Sequence, residues 1–191
     1  RLWPVWADMA YPFGTWFQTL MVTGQRRTEV GQMRWRDLDL DKAIWTIPAE
    51  HMKNKKVHEV PLSPLAVKII NSIPKSGNYV FTTTGEGHIK GFSKAKAKCD
   101  KQEALAAEGM EPLENWTVHD LRRTVATGMG ELGIAPHIIE AVQGRSIEGI
   151  AKTYNRAKLK DAKRNALETW TRHVMAITDP DYRNNGFTLG A

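Results

Sequence analysis

Thr117-Val118-His119-Asp120-Leu121-Arg122-Arg123-Thr124 opens a segment whose apolar residues, Leu121, Val125, Met129 and Leu132, return at helical spacing until Gly133 ends it. His119 and Arg122 stand one helical turn apart near its start, upstream of Tyr154 in Thr153-Tyr154-Asn155-Arg156-Ala157. An imidazole beside a guanidinium suits a phosphate diester, and a phenol is a group that can attack one. Helix phase separates the paired arginines: Arg122 borders the apolar stripe and Arg123 points away from it. Taken singly, His119 fits a helix cap and Tyr154, at helical spacing from Ile147, Ile150 and Ala151, fits a core tyrosine.

Upstream, residues 5–22 carry apolar and aromatic positions in helical style, interrupted by Pro12 and Gly14, and predict two short helices. A third is expected over 26–35. In it Arg26 shares a face with Val30 and Met33, while Arg27 and Arg34 are turned about 100° away. An inward guanidinium is expensive unless a carboxylate or a phosphate satisfies it. Glu29 lies one turn on, so a structural Arg26–Glu29 pair at the core rim and a phosphate-binding arginine are both open.

Residues 43–48 and 57–62 read as strands, and the lysine-bearing stretch between them as a mobile hairpin loop. A helix over 64–73, a short strand over 79–82, a lysine- and alanine-rich helix over 92–108 and a loop over 109–115 follow. Pro136 starts another helix, closed near Gly144. In the last helix Leu159, Ala162, Ala166, Leu167, Trp170, Val174 and Ile177 share one face, which is expected to complete the domain's own core. The fold class is α+β, mainly α, with a small antiparallel sheet. Residues 1–177 form one domain, and 178–191 a polar tail, disordered or exchanged with a neighbour.

The chain has 191 residues and a formal charge of +6, a balance that suits a polyanionic partner without specifying one. The lysine groups at 53, 55 and 56 and at 94, 96, 98 and 101 read for the most part as solvated surface. No apolar run approaches the roughly 20 residues that span a bilayer. The single cysteine, Cys99, excludes an internal disulfide, fits a reducing cytoplasm and reads as inert. No ligand cluster accompanies the His119–Arg122 pair, so neither a metal nor a cofactor is expected. The start at Arg1-Leu2-Trp3-Pro4, without Met or signal pattern, reads as a domain cut from a longer protein.

Together these segments resemble the catalytic domain of the tyrosine recombinases, specifically the phage- and island-type integrases. The resemblance runs from about Val22 to Trp170. It is carried by Thr23-Gly24-Gln25-Arg26-Arg27-Thr28-Glu29-Val30, by Arg34-Trp35-Arg36-Asp37-Leu38-Asp39, and by Met52-Lys53-Asn54-Lys55-Lys56-Val57-His58-Glu59-Val60-Pro61-Leu62-Ser63. His119-Asp120-Leu121-Arg122-Arg123-Thr124 and Tyr154-Asn155-Arg156 complete the series, in the family's order. The resemblance implies that Arg26 and Arg122 clamp the scissile phosphate, with Glu29 supporting the Arg26 side. It further implies that Lys53 is the general acid for the leaving 5′ oxygen, that His119 assists proton transfer, and that Tyr154 is the nucleophile. The family usually has histidine, sometimes tryptophan, where Val142-Gln143-Gly144-Arg145-Ser146 places Arg145. A guanidinium still donates hydrogen bonds to phosphate but is no base near neutral pH.

The implied partner is double-stranded DNA, held by a homotetramer of the full-length protein, with accessory DNA-bending proteins. The isolated domain is expected to be monomeric and to bind DNA weakly, with steep salt dependence. The activity implied is site-specific strand exchange in a bacterial cytoplasm. Two alternatives stay open: an impaired DNA-binding remnant, for which Arg145 speaks, and a type IB topoisomerase-like relaxer.

Overall fold

The computed structural model describes residues 1–107, 109–145, 156–179 and 181–182. Helices α1 (Leu2–Asp8), α2 (Phe13–Thr23) and α3 (Arg27–Gly31) lead into a three-stranded sheet of β1 (Leu38–Asp39), β2 (Ile44–Ile47) and β3 (His58–Pro61). Helices α4 (Pro64–Asn71), α5 (Phe92–Ala106), α6 (Val118–Glu131), α7 (Pro136–Val142) and α8 (Arg156–Thr178) follow. The expected class, mainly helical with a small antiparallel sheet, is the architecture found.

Helix α2 is the axis of the core. Trp16, Phe17, Leu20 and Val22 are all buried on it. Trp6 of α1 stacks on Phe17 at 5.6 Å between ring centroids, and Phe92 of α5 stacks on Trp16 at 4.8 Å. Such rings bring large apolar area and a fixed geometry to one small volume. Gly14, expected to interrupt the helix, instead lies within its first turn. A Cβ there would meet the Trp6 carbonyl oxygen at 2.3 Å, so glycine permits the close approach of α1.

Helix α2 stops at Gly24, which adopts φ +63° and returns its N–H to the Leu20 carbonyl at 2.9 Å. The third helix is shorter than the spacing predicts, and Arg26 caps it rather than riding its inner face. It ends at Gly31 because the following backbone pairs elsewhere. Val80 N–H donates to the Met33 carbonyl at 2.9 Å, and Trp35 N–H to that of Asn78 at 3.1 Å. The strand expected over 79–82 is accordingly a single bridge, Arg34 to Tyr79. Strand β1, not foreseen, pairs Leu38 with Trp45 and Asp39 with Ile44.

Strands β2 and β3 form the expected hairpin, with Ile47 opposite His58 and Trp45 opposite Val60. Their connection contains a 3-10 turn, Ala49–His51, so it is more structured than the mobile loop anticipated. Val57, included in the expected strand, lies just outside it and is 62% exposed.

Helix α6 packs its Leu121–Val125–Met129 stripe inward as the periodicity predicts. Gly128 lets Trp170 of α8 lie against it, since a Cβ at that position would meet Cζ3 at 2.3 Å. The Trp170 indole N–H donates to the Met21 carbonyl at 2.7 Å, tying α8 to α2. Ala166, Leu167 and Val174 complete that buried face, and Ile177 at its end is exposed. The helix ends at Thr178, one residue past the anticipated domain limit. Cys99 is buried and accepts the Trp6 indole N–H at 3.3 Å, and burial pushes its thiol pKa up, the inert role expected. Among the described residues no helix is long and apolar enough to cross a membrane.

Candidate active site

Capping explains where Arg26 and Glu29 sit. The backbone N–H of Arg26 donates to Glu29 Oε2 at 2.8 Å, satisfying one of the groups that a helix start leaves unpaired. The same carboxylate accepts Arg26 Nη1 on Oε1 at 2.6 Å. Glu29 is buried, and Arg122 Nη1 lies 4.0 Å from its Oε2. One carboxylate therefore stands between the two arginines that helix phase singled out.

Arg122 is 3% exposed, whereas Arg123 is exposed and pairs with Asp120 at 3.0 Å. Two arms of the Arg122 fork are directed at backbone carbonyls: Nη1 donates to that of Gly24 at 2.9 Å and Nη2 to that of Gln143 at 2.5 Å. Gln143 answers by donating Nε2 to the Arg122 carbonyl at 2.8 Å. Burial, and then the charge of Arg26, lowers the Arg122 pKa to about 10, with Arg145 adding to the effect. The guanidinium stays charged at neutral pH. The charges of Arg26 and Arg145 both act on Arg122, with Glu29 as the acidic partner, so cations outnumber the carboxylate around it.

His119 is exposed on the first turn of α6, one turn before Arg122. Partial burial, followed by the charges of Arg122 and Arg123, holds its pKa below the usual imidazole value. At neutral pH the ring is uncharged and able to take a proton. Arg145 is exposed and follows Gly144, whose φ is +63°. Its backbone N–H donates to the Glu140 carbonyl at 3.0 Å, closing α7. Lys53 is exposed in the β2–β3 connection. Tyr154 lies outside the described residues.

Several residues that support this cluster were not singled out by the sequence. Gln25, buried, donates Nε2 to the carbonyls of Thr23 at 2.8 Å and Val142 at 2.9 Å. His58, 7% exposed, also bonds the Val142 carbonyl, through Nε2 at 3.0 Å. A carbonyl only accepts, so that nitrogen carries the proton. The alternation that turns Val60 inward turns His58 inward too, which is the signal that could have revealed it. Lys163 of α8, buried, donates Nζ to the Glu59 carbonyl, and burial lowers its pKa to about 8.

Burial, and then the Lys163 charge, drives the His58 pKa down to about 3. The unfolded chain binds a proton there near pH 6.5 that the folded chain refuses until about pH 3, so stability is lost on acidification through that window. The expected loss from His58 is at most about 1.4 kcal/mol per pH unit. Urea midpoints at pH 6.5 and 4.5 should therefore fall further in the wild type than in His58→Gln.

The matched family model is described as the phage integrase family and covers residues 10–161. The prophage integrase IntA of Escherichia coli (strain K12) is 29% identical over 163 residues, covering 84% of this chain and 38% of that protein. Prophage integrase IntS of the same organism is 30% identical over 163 residues, covering 80% and 39%. The chain thus spans well under half the length of these curated relatives. Among solved structures, the Tn1549 transposon integrase in complex with circular intermediate DNA superposes with a TM-score of 0.65 at 14% identity, over 87% of this chain and 64% of that one. XerA recombinase superposes with a TM-score of 0.56 at 17% identity, over 94% and 60%. With most of its length matched by the family model, and with its helices and sheet arranged as in those recombinases, the chain belongs to the phage integrase family of tyrosine recombinases.

Proposed function

We propose that this chain is the catalytic domain of a site-specific DNA recombinase that breaks and rejoins DNA through a 3′-phosphotyrosyl intermediate. The observation that carries the reading is the carboxylate of Glu29 set between Arg26 and Arg122, in a cluster where cations outnumber it. A phosphate diester resists attack because its charge repels the nucleophile, and the transition state places still more charge on its oxygens. Guanidinium groups held in place beforehand stabilise that charge as it develops.

In this mechanism Arg26 and Arg122 bind the non-bridging oxygens, and Arg145 adds hydrogen bonds. The Tyr154 oxygen bonds to phosphorus as the bond from phosphorus to the 5′ oxygen breaks. Neutral His119 takes the phenol proton, and Lys53 protonates the leaving oxygen. The phosphotyrosyl link conserves the phosphodiester bond energy, so a second 5′ hydroxyl can reverse the step without ATP. Double-stranded DNA is the substrate, bound by a homotetramer of the full-length protein. The catalytic unit is taken to end near residue 177, with the tail from 178 as the segment exchanged between protomers.

The test is incubation of the full-length protein with a nicked suicide substrate, followed by a denaturing gel. A covalent protein–DNA adduct is expected. The exposed Arg145, in the place of the usual histidine or tryptophan, favours one rival, an impaired DNA-binding remnant. DNA binding with no adduct under any condition would establish that rival and sink the enzyme.

A further inference from the structure

The β2–β3 connection does not stand alone; it is seated on the turn that ends α7. Met52 is buried, and its Cε lies 2.8 Å from where a Cβ at Gly144 would be. Asn54 donates Nδ2 to the Gly144 carbonyl at 3.3 Å, while its Oδ1 accepts the Lys56 N–H at 3.2 Å. His58, at the far end of the connection, bonds the Val142 carbonyl at 3.0 Å, and its ring would lie 3.0 Å from the same Gly144 Cβ. Lys53 is therefore bracketed: the residue before it packs on the turn and the residue after it bonds to the turn.

That turn is the one already tied to the phosphate-binding side. Its Val142 carbonyl also receives Gln25, its Gln143 carbonyl receives Arg122, and Arg145 follows directly. A short hairpin sets its own register through its turn and ladder. Bonds to carbonyls 84 and 90 residues away are not needed for that purpose. Together with the packing of Met52 before Lys53, they fix the backbone around it, leaving chiefly its side-chain torsions to adjust. General acid catalysis demands hydrogen-bond reach between the acid and the leaving oxygen, so the origin of the side chain matters.

We infer that Asn54 and His58 are positioning residues that seat the Lys53 loop on the 142–145 turn, holding the acid in register with the arginine cluster. The inference rests on the reading of Lys53 as the general acid. His58 works here as a neutral donor: the charged groups around it, Lys163, Arg122 and Arg26, are all cations.

The test uses the full-length protein in single-turnover cleavage of two nicked substrates, one with an ordinary scissile phosphate and one with sulfur in place of its bridging 5′ oxygen. In both, the tyrosine oxygen bonds to phosphorus and the bond to the 5′ atom breaks. A 5′ oxygen leaves with a proton from the acid, whereas a thiolate leaves without one. Asn54→Ala is expected to slow cleavage of the ordinary substrate by about 10-fold to 100-fold, the scale of a misplaced reacting group. The sulfur substrate should be cut at the wild-type rate. His58→Ala should behave in the same way, and His58→Gln, which keeps an N–H donor, should recover part of the ordinary rate. Asn54, on a half-buried loop, serves should His58→Ala not fold.

Equal defects on both substrates, or no defect in either alanine variant, would overturn the inference. Lys53→Ala separates the levels of failure. If sulfur rescues Lys53→Ala but not Asn54→Ala, only the positioning role is wrong. If sulfur does not rescue Lys53→Ala, the acid assignment fails and the inference falls with it.

Discussion

Tyr154→Phe in the full-length protein is expected to abolish the covalent adduct on a nicked suicide substrate while leaving DNA binding intact. The substitution deletes one oxygen, and that oxygen is the atom proposed to bond to phosphorus. Phenylalanine keeps the ring and nearly all of its volume, so no change of fold is needed to explain the loss. Other catalytic groups lower a barrier that some reaction still crosses, but without a nucleophile the intermediate has no bond to form. The two measurements are a denaturing gel for the adduct and a mobility shift at low salt for binding. An adduct that survived in an active protein would move the nucleophile elsewhere.

Arg122→Ala should produce the next largest effect, a fall in the cleavage rate of about a thousandfold, the scale seen when a donor aimed at developing charge is removed. Here the structure adds a complication. The Arg122 fork satisfies the Gly24 and Gln143 carbonyls from within the core, so its removal leaves both without that donor. Hydrogen bonds from a charged group to such acceptors contribute about 1.5–3 kcal/mol each, so the variant should also unfold at lower urea. Arg26→Ala separates the two causes. Arg26 is half-exposed and bonds mainly to Glu29, so its loss should reduce cleavage steeply with a smaller change in stability. If both variants cut DNA at the wild-type rate, the phosphate clamp must be abandoned.

The arginines were legible because periodicity carries phase. Arg122 and Arg123 are neighbours in sequence but differ in burial, as the stripe of Leu121, Val125 and Met129 implies. Arg26 was found for a partly mistaken reason: it caps a five-residue helix instead of lining a longer one, and its link to Glu29 is a capping bond as well as an ion pair. The helix was overestimated because the rival pairing partner of Met33 and Arg34 lies more than 40 residues on, at 78–80, where no local pattern announces it. Separation in sequence also hid Gln25 and Gln143, whose partners lie 117 and 21 residues away. A buried glutamine has no periodic signature, and its role depends on which carbonyl the fold brings to it. Tyr154, the proposed nucleophile, was legible only through resemblance, since its spacing fits an ordinary core tyrosine equally well.

The turn after α7 has a further meaning for how this site tolerates change. Its Val142, Gln143 and Gly144 carbonyls hold Gln25, His58, Arg122 and Asn54, while Arg145 gives a backbone N–H to closing α7. The acceptors of this scaffold are thus main-chain oxygens, and the exposed side chain at 145 projects from the same turn. Among the described residues these framework bonds do not pass through the side chain at 145, so a change there is expected to leave in place the architecture that would aim it.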